Sequence, residues 1–358
     1  MARDDVVAAM RLQAEWCRML GSPLYQAMLD RAADDLAAGG AVDAVVGDWP
    51  GDPAADAVAL RFLGAIHRAV LDGQAPALAA HYPSAGGTPA FPAAWEALRA
   101  YVAANVARLR AAVAAGPPQT NEVQRSAVLL AGFHRVASWS GLPLRLLEIG
   151  ASAGLNLHWD RYRHELGSHR WGPAGAPVVL RVAWHGPAPS LAASIRIASR
   201  AGCDLAPLDP ADRDTALRLA AFVWPDQSAR LAQLRAALAV AAADRVRVEA
   251  ASADAWLAAA LSRPADGVAT VVYHSIVWQY LPAAVQADIV ATLERAGAAA
   301  APVAPLAWLR LELGASGFEL RLTRWPDGEE TLLGRAQPHG REVWWAEAGA
   351  AGAGPRCE

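Results

Sequence analysis

The stretch Leu144-Arg145-Leu146-Leu147-Glu148-Ile149-Gly150-Ala151-Ser152-Ala153-Gly154-Leu155-Asn156 constrains this chain most. A short apolar run ends in an acid and meets two glycines four positions apart. A helical pattern is expected next, over 155–165. Such a strand, tight turn and helix start lets backbone N–H groups and a helix dipole face a ligand. The same letters spell Gly-x-Ser-x-Gly, so a nucleophilic Ser152 competes for the site.

The pattern around this stretch divides the chain. Up to residue 141 only helices are expected, over 4–20, 23–38, 54–71, 93–115 and 121–140. Val7, Met10, Leu12, Ala14 and Cys17 form the apolar face of the first. Asn121 with Gln124 three residues on reads as a capping box. From 142 strands alternate with helices. Strands are expected at 144–149, 178–184, 195–204, 246–249, 268–274 and 306–313. Antiparallel strands at 318–325 and 341–345 follow, turning at Pro326-Asp327-Gly328. Helices are expected at 212–222, 228–242, 255–261 and 282–295. Strands alternating with helices imply a parallel sheet covered on both faces. The expected domains are therefore a helical part over 1–141, an α/β part over 142–350 and a disordered tail over 351–358.

Composition removes several function classes. The 358 residues carry a net charge of −3, with 19% charged and 54% hydrophobic residues. All 32 basic side chains are arginine. No basic, aromatic-interleaved patch points to nucleic acid. The 3 cysteines, Cys17, Cys203 and Cys357, are far apart, without the pairing of a zinc site or disulfide framework, and no metal is expected. The start lacks the apolar segment of a secretion signal, and the alanine-rich runs are too short to span a bilayer. A cytoplasmic protein acting on a small molecule is expected, with no membrane partner.

The ordered motifs resemble class I S-adenosylmethionine-dependent methyltransferases. Glu148–Gly154 resembles the first motif of that superfamily, although glycine usually stands where Ser152 does. Gly202-Cys203-Asp204-Leu205 resembles the second, Ser252-Ala253-Asp254-Ala255 the adenine-side motif, and Val271-Val272-Tyr273-His274-Ser275 the fourth. Thr120-Asn121-Glu122-Val123, Leu155-Asn156-Leu157 and Trp184-His185-Gly186-Pro187 are similar to an uncharacterised bacterial family of unknown function. The resemblance implies an α/β, Rossmann-like sheet of about seven strands, mostly parallel with an antiparallel C-terminal edge. It also implies S-adenosylmethionine as cofactor.

Each candidate residue then has an expected role. Glu148, Gly150, Ser152, Gly154, Asn156, Asp204 and Asp254 form the cofactor set. Glu148 accepts from the cofactor's ammonium, and its charge favours the sulfonium. Asp204 takes the ribose hydroxyls, with Asp209 in reserve. Asp254 accepts from the adenine amino group or caps a helix. His274 and Ser275 are the catalytic candidates, His274 as a base. Asn121, Glu122, Arg125, His185, Gln279 and Tyr280 are the substrate-binding candidates. Two alternatives stay open: a non-catalytic S-adenosylmethionine or nucleotide binder of the same fold, and a serine hydrolase using Ser152.

Overall fold

A computed structural model describes residues 2–244 and 246–346. The expected tail and Cys357 lie outside the described residues. Contacts between Cα atoms divide the chain into two units. One takes residues 2–120 and 212–235, and the other residues 121–211, 236–244 and 246–346.

In chain order the first helices are α1 (Ala2–Met19), α2 (Pro23–Ala37), α3 (Asp43–Val46), α4 (Val58–Leu71), α5 (Pro76–Ala79), α6 (Ala93–Ala104) and α7 (Val106–Ala114). They are followed by α8 (Arg125–Ser140), α9 (Arg213–Ala221), α10 (Ser228–Asp244), α11 (Ala253–Ala260) and α12 (Ala283–Ala298). The strands are β1 (Leu144–Ile149), β2 (Arg163–Leu166), β3 (His169–Trp171), β4 (Val179–His185), β5 (Ile197–Asp204) and β6 (Val248–Ala250). Beyond these lie β7 (Ala269–Ser275), β8 (Leu306–Gly314), β9 (Gly317–Trp325), β10 (Glu329–Ala336) and β11 (Glu342–Trp345).

The first unit is built from amphipathic helices. On α1 the residues Val6, Met10, Ala14 and Cys17 recur at helical spacing and are buried. Leu12, expected on that face, is 55% exposed. Pro23 opens α2, where its missing N–H costs nothing. The Asp226 carboxylate then accepts from Ser22 Oγ at 2.6 Å and from the Leu24 N–H at 3.1 Å. His67 on α4 is fully buried, and Ser84 Oγ meets its Nε2 at 2.7 Å.

The second unit is one mixed sheet in the order β3-β2-β4-β11-β10-β9-β8-β7-β1-β5-β6. Its parallel part runs β8-β7-β1-β5-β6. Strands β8, β9, β10 and β11 are antiparallel neighbours, whereas β11 pairs parallel with β4, and β4 with β2. The sheet thus has 11 strands among the described residues, more than the about seven expected. Its antiparallel run also lies inside the sheet, because the segment after the glycine turn supplies the β2-β3-β4 edge.

Helix α8 is buried on nearly every side, as a helix without a polar face must be. It packs against β2 and β4 as well as β7, β8 and β9. A Cβ on Gly132 would lie 2.4 Å from Leu309 Cδ1, so a larger residue would force the buried Leu309 side chain to move where α8 meets β8. Phe133 of α8 stacks on Trp159 at 4.3 Å and meets Tyr273 of β7 edge-on at 5.1 Å. Such aromatic pairs add about 1 kcal/mol each beyond burial.

Candidate functional site at the carboxyl ends of β1, β5 and β7

From β1 the chain adds β5 and β6 on one side and β7 and β8 on the other. The carboxyl ends of β1 and β7 therefore flank a topological switch point, where open α/β sheets bind ligands. The glycine turn sits there. Gly150 has φ +67°, Ser152 φ +55° and Gly154 φ +72°. Of these three, Ser152 carries a side chain into the left-handed region, at a cost of about 1–2 kcal/mol.

Asp204 fastens the turn. It ends β5 directly beside β1. Its Oδ2 accepts from the Ser152 N–H and its Oδ1 from the Ala206 N–H, both at 2.9 Å. The carboxylate is half-buried and keeps lone pairs for a further donor. Ser152 Oγ is buried with no hydrogen-bond partner. The Leu208 N–H donates to Ser152 O at 3.1 Å, joining the turn to a cleft of about 560 Å³ that Leu208, Asp209 and Val248 line.

Two glycines of the turn are covered by protein. A Cβ on Gly150 would meet Val277 Cγ2 at 2.5 Å, and one on Gly154 would meet Val248 Cγ2 at 3.0 Å. Their lack of a side chain serves close packing of the loop after β7 and of the start of β6.

Glu148 lies beneath the turn and is 2% exposed. Burial pushes its carboxyl well above the ordinary range and toward the neutral form, while the Tyr273 hydroxyl, donating at 3.3 Å, opposes that.

The segment after the turn differs from expectation. Leu155–Arg161 is a 3-10 stretch and not the start of a long helix. His158 leaves helical geometry at φ −106°, ψ 16°, and Tyr162 Oη donates back to Leu155 O at 2.6 Å. Asn156 is buried, with Oδ1 accepting from Ser126 Oγ at 2.6 Å and Nδ2 donating to Glu122 O at 3.4 Å. It joins this stretch to the start of α8.

That start is also not a capping box. Helix α8 begins at Arg125, and Asn121 Oδ1 instead accepts from the Leu155 N–H at 3.0 Å. Glu122 is buried, and its Oε1 accepts from the Gln124 N–H at 3.3 Å. Arg125 donates to Ser275 O and to Pro338 O, both at 3.0 Å. Asn121, Glu122, Arg125, Asn156 and Ser275 thus gather at the carboxyl ends of β1 and β7.

His274 is fully buried. Its Nδ1 lies 2.6 Å from Glu312 Oε1, and its Nε2 lies 3.0 Å from Trp308 Nε1. Indole nitrogen can only donate, so Nε2 carries the lone pair and Nδ1 the proton. Trp278 stacks on the ring at 5.3 Å. Glu312 also accepts from the N–H groups of Val277 at 3.1 Å and Trp278 at 3.3 Å. Both imidazole nitrogens are engaged by protein groups here, and through Glu312 the His274 ring ties down the turn after β7. Trp308, Glu312, Trp278 and Val277 are the site residues that sequence reasoning missed.

The side chains of the remaining candidates make no hydrogen bond to this network among the described residues, and His185 lies far along the sheet. Asp254 is in the first turn of α11, whose N-cap is Ser252. A hydrogen bond from Ser252 holds its carboxyl below the ordinary range, and its Oδ1 is sheltered without a partner. Gln279 and Tyr280 are exposed on the 3-10 turn Trp278–Tyr280. His185 ends β4, separated from β7 along the sheet by β11, β10, β9 and β8. It pairs with Glu342 at 2.7 Å and stacks on Trp344.

Residues 7–345 match the family described as "Uncharacterized protein conserved in bacteria (DUF2332)". The chain belongs to that bacterial family. No curated protein and no solved structure matches it. Among the described residues no cluster of three or more His, Cys, Asp or Glu could hold a metal, and no helix is long and apolar enough to cross a membrane.

Proposed function

We propose that the protein is an S-adenosylmethionine-dependent methyltransferase with a small-molecule acceptor. The observation that carries this is the bond from the Ser152 N–H to Asp204, which unites glycine turn and acid at the switch point. The order β6-β5-β1-β7-β8 supports it, being that of a doubly wound dinucleotide-binding sheet. The adjoining cleft of about 560 Å³ falls in the range of small-ligand sites.

S-adenosylmethionine, when bound, supplies a methyl group activated on a sulfonium. Asp204 would accept from hydroxyl donors with its remaining lone pairs, Asp209 lines the neighbouring cleft, Ser152 Oγ is free to donate or accept, and Asp254 Oδ1 is free to accept. Glu148, held toward its neutral form, steadies the turn from below and adds little charge. Methyl transfer is an in-line displacement, so positioning supplies much of the acceleration. With His274 committed at both nitrogens, the best acceptor is one needing no deprotonation.

The same commitment of His274 favours a second reading, a non-catalytic S-adenosylmethionine or nucleotide binder of this fold. Hydrolysis through Ser152 has less support, because its hydroxyl meets no base. The test is incubation with methyl-labelled S-adenosylmethionine and the small-molecule fraction of a bacterial extract. Label should enter a small product, and Asp204→Ala should abolish this. Binding without transfer selects the second reading, and neither binding nor transfer contradicts both.

A further inference from the structure

The opposite end of the same sheet holds a second cleft, unrelated to the glycine turn. Arg145 of β1 stands across the ladder from Thr270 of β7 at the amino-terminal ends of these strands. Helix α12 lays Thr292 and Arg295 over them, three positions apart and so on one face. The chain leaving α11 adds Ser262 and Arg263. Alanines on α11 and α12 leave a space of about 240 Å³ between these groups. At about 30 Å³ per water this is the volume of about eight waters.

The charge of this cleft is one-sided. Three arginines line it, and no Asp or Glu does. Among the described residues Arg145 donates to Ala260 O at 2.9 Å and Arg295 to Thr292 Oγ1 at 2.9 Å, neither of them a carboxylate. Burial lowers the pKa of Arg145, as for a cation that no carboxylate compensates. The carboxyl-terminal ends of α11 and α12 offset some of this charge, at about −0.5 each. Against three full positive charges, about +2 remains.

The geometry points to a binding site for a small oxyanion in this cleft, a free phosphate or a phosphate monoester. Guanidinium forks match phosphate oxygens in pairs, and three hydroxyl groups supply further donors. The site needs neither S-adenosylmethionine nor any residue of the glycine turn.

The test is calorimetric titration of the full chain with inorganic phosphate, glycerol 3-phosphate and, as a neutral control, glycerol. Wild type is compared with Arg263→Gln and Arg295→Gln. Both side chains are exposed and pair with no carboxylate among the described residues, so thermal unfolding should show both variants folded. Each variant should bind the anions about tenfold more weakly, one lost charge-assisted bond, and glycerol should give no heat. Tighter binding of the monoester assigns the site to an organic phosphate, and equal binding to the free ion. No anion binding by wild type, or equal affinity in wild type and both variants, overturns the proposal.

Discussion

Trp308 donates its indole N–H to Nε2 of His274 at 3.0 Å and so decides which imidazole nitrogen keeps its proton. Glu312 then accepts from the Nδ1–H and from the two backbone N–H groups of the following turn. The same turn presses Val277 onto Gly150. Replacing His274 by Gln should therefore act on stability first, costing about 1–3 kcal/mol through unsatisfied buried partners. Urea unfolding measures this. Lost methyl transfer at unchanged stability would assign His274 a catalytic role instead.

Ser152 carries a side chain where φ is +55°. Ser152→Gly removes that strain together with a buried hydroxyl lacking a partner. The variant should be more stable by about 1 kcal/mol, less what the freer unfolded chain takes back. Thermal unfolding checks the sign. Loss of stability would show that the hydroxyl has a partner in solution.

Histidine burial predicts acid sensitivity in the helical unit. Burial lowers the pKa of His67 from 6.5 to about 4. A lowered folded pKa means that the unfolded chain binds the proton first. The stability His67 confers is therefore full above pH 6.5 and lost as pH falls toward about 4. Between neutrality and pH 5 that loss is about 2 kcal/mol. His67→Gln should show a shallower fall in unfolding midpoint over that range. Parallel curves for the two proteins would contradict this.

Glu148 works in the other direction. Its carboxyl is raised above 4.5 by burial. The folded state holds the proton more tightly, so the contribution is full below pH 4.5 and lost as pH rises through the folded pKa. Glu148→Gln should gain stability relative to wild type as pH rises from the acid range to neutrality. Midpoints measured across that range test it, and a constant difference would be the contrary result.

Strands β1, β7 and β8 were legible in the sequence because each is a compact apolar run next to turn residues, whereas β5, with Ser199, Arg200 and Asp204, was legible mainly from its place between turns. The acid at Asp204 and the turn at Gly150–Gly154 were legible for the same local reason. The 3-10 stretch after the turn was not, since Leu155–Trp159 has helical letters. Its backbone is set by partners far along the chain, among them Asn121, Ser126 and Tyr273. Strands β2 and β3 were hidden by their shortness and by their His, Arg and Glu content. The role of His274 depended on Trp308 and Glu312, more than thirty residues away, and no local pattern announces them.

Calorimetric titration of the purified protein with S-adenosylmethionine tests the central claim most directly. Gly150→Arg, which drives a side chain into Val277, and Asp204→Ala, which frees the turn, are measured beside it, each checked for folding. The account predicts saturable binding by wild type and its loss in both variants. A folded wild-type protein that takes up no S-adenosylmethionine would contradict it.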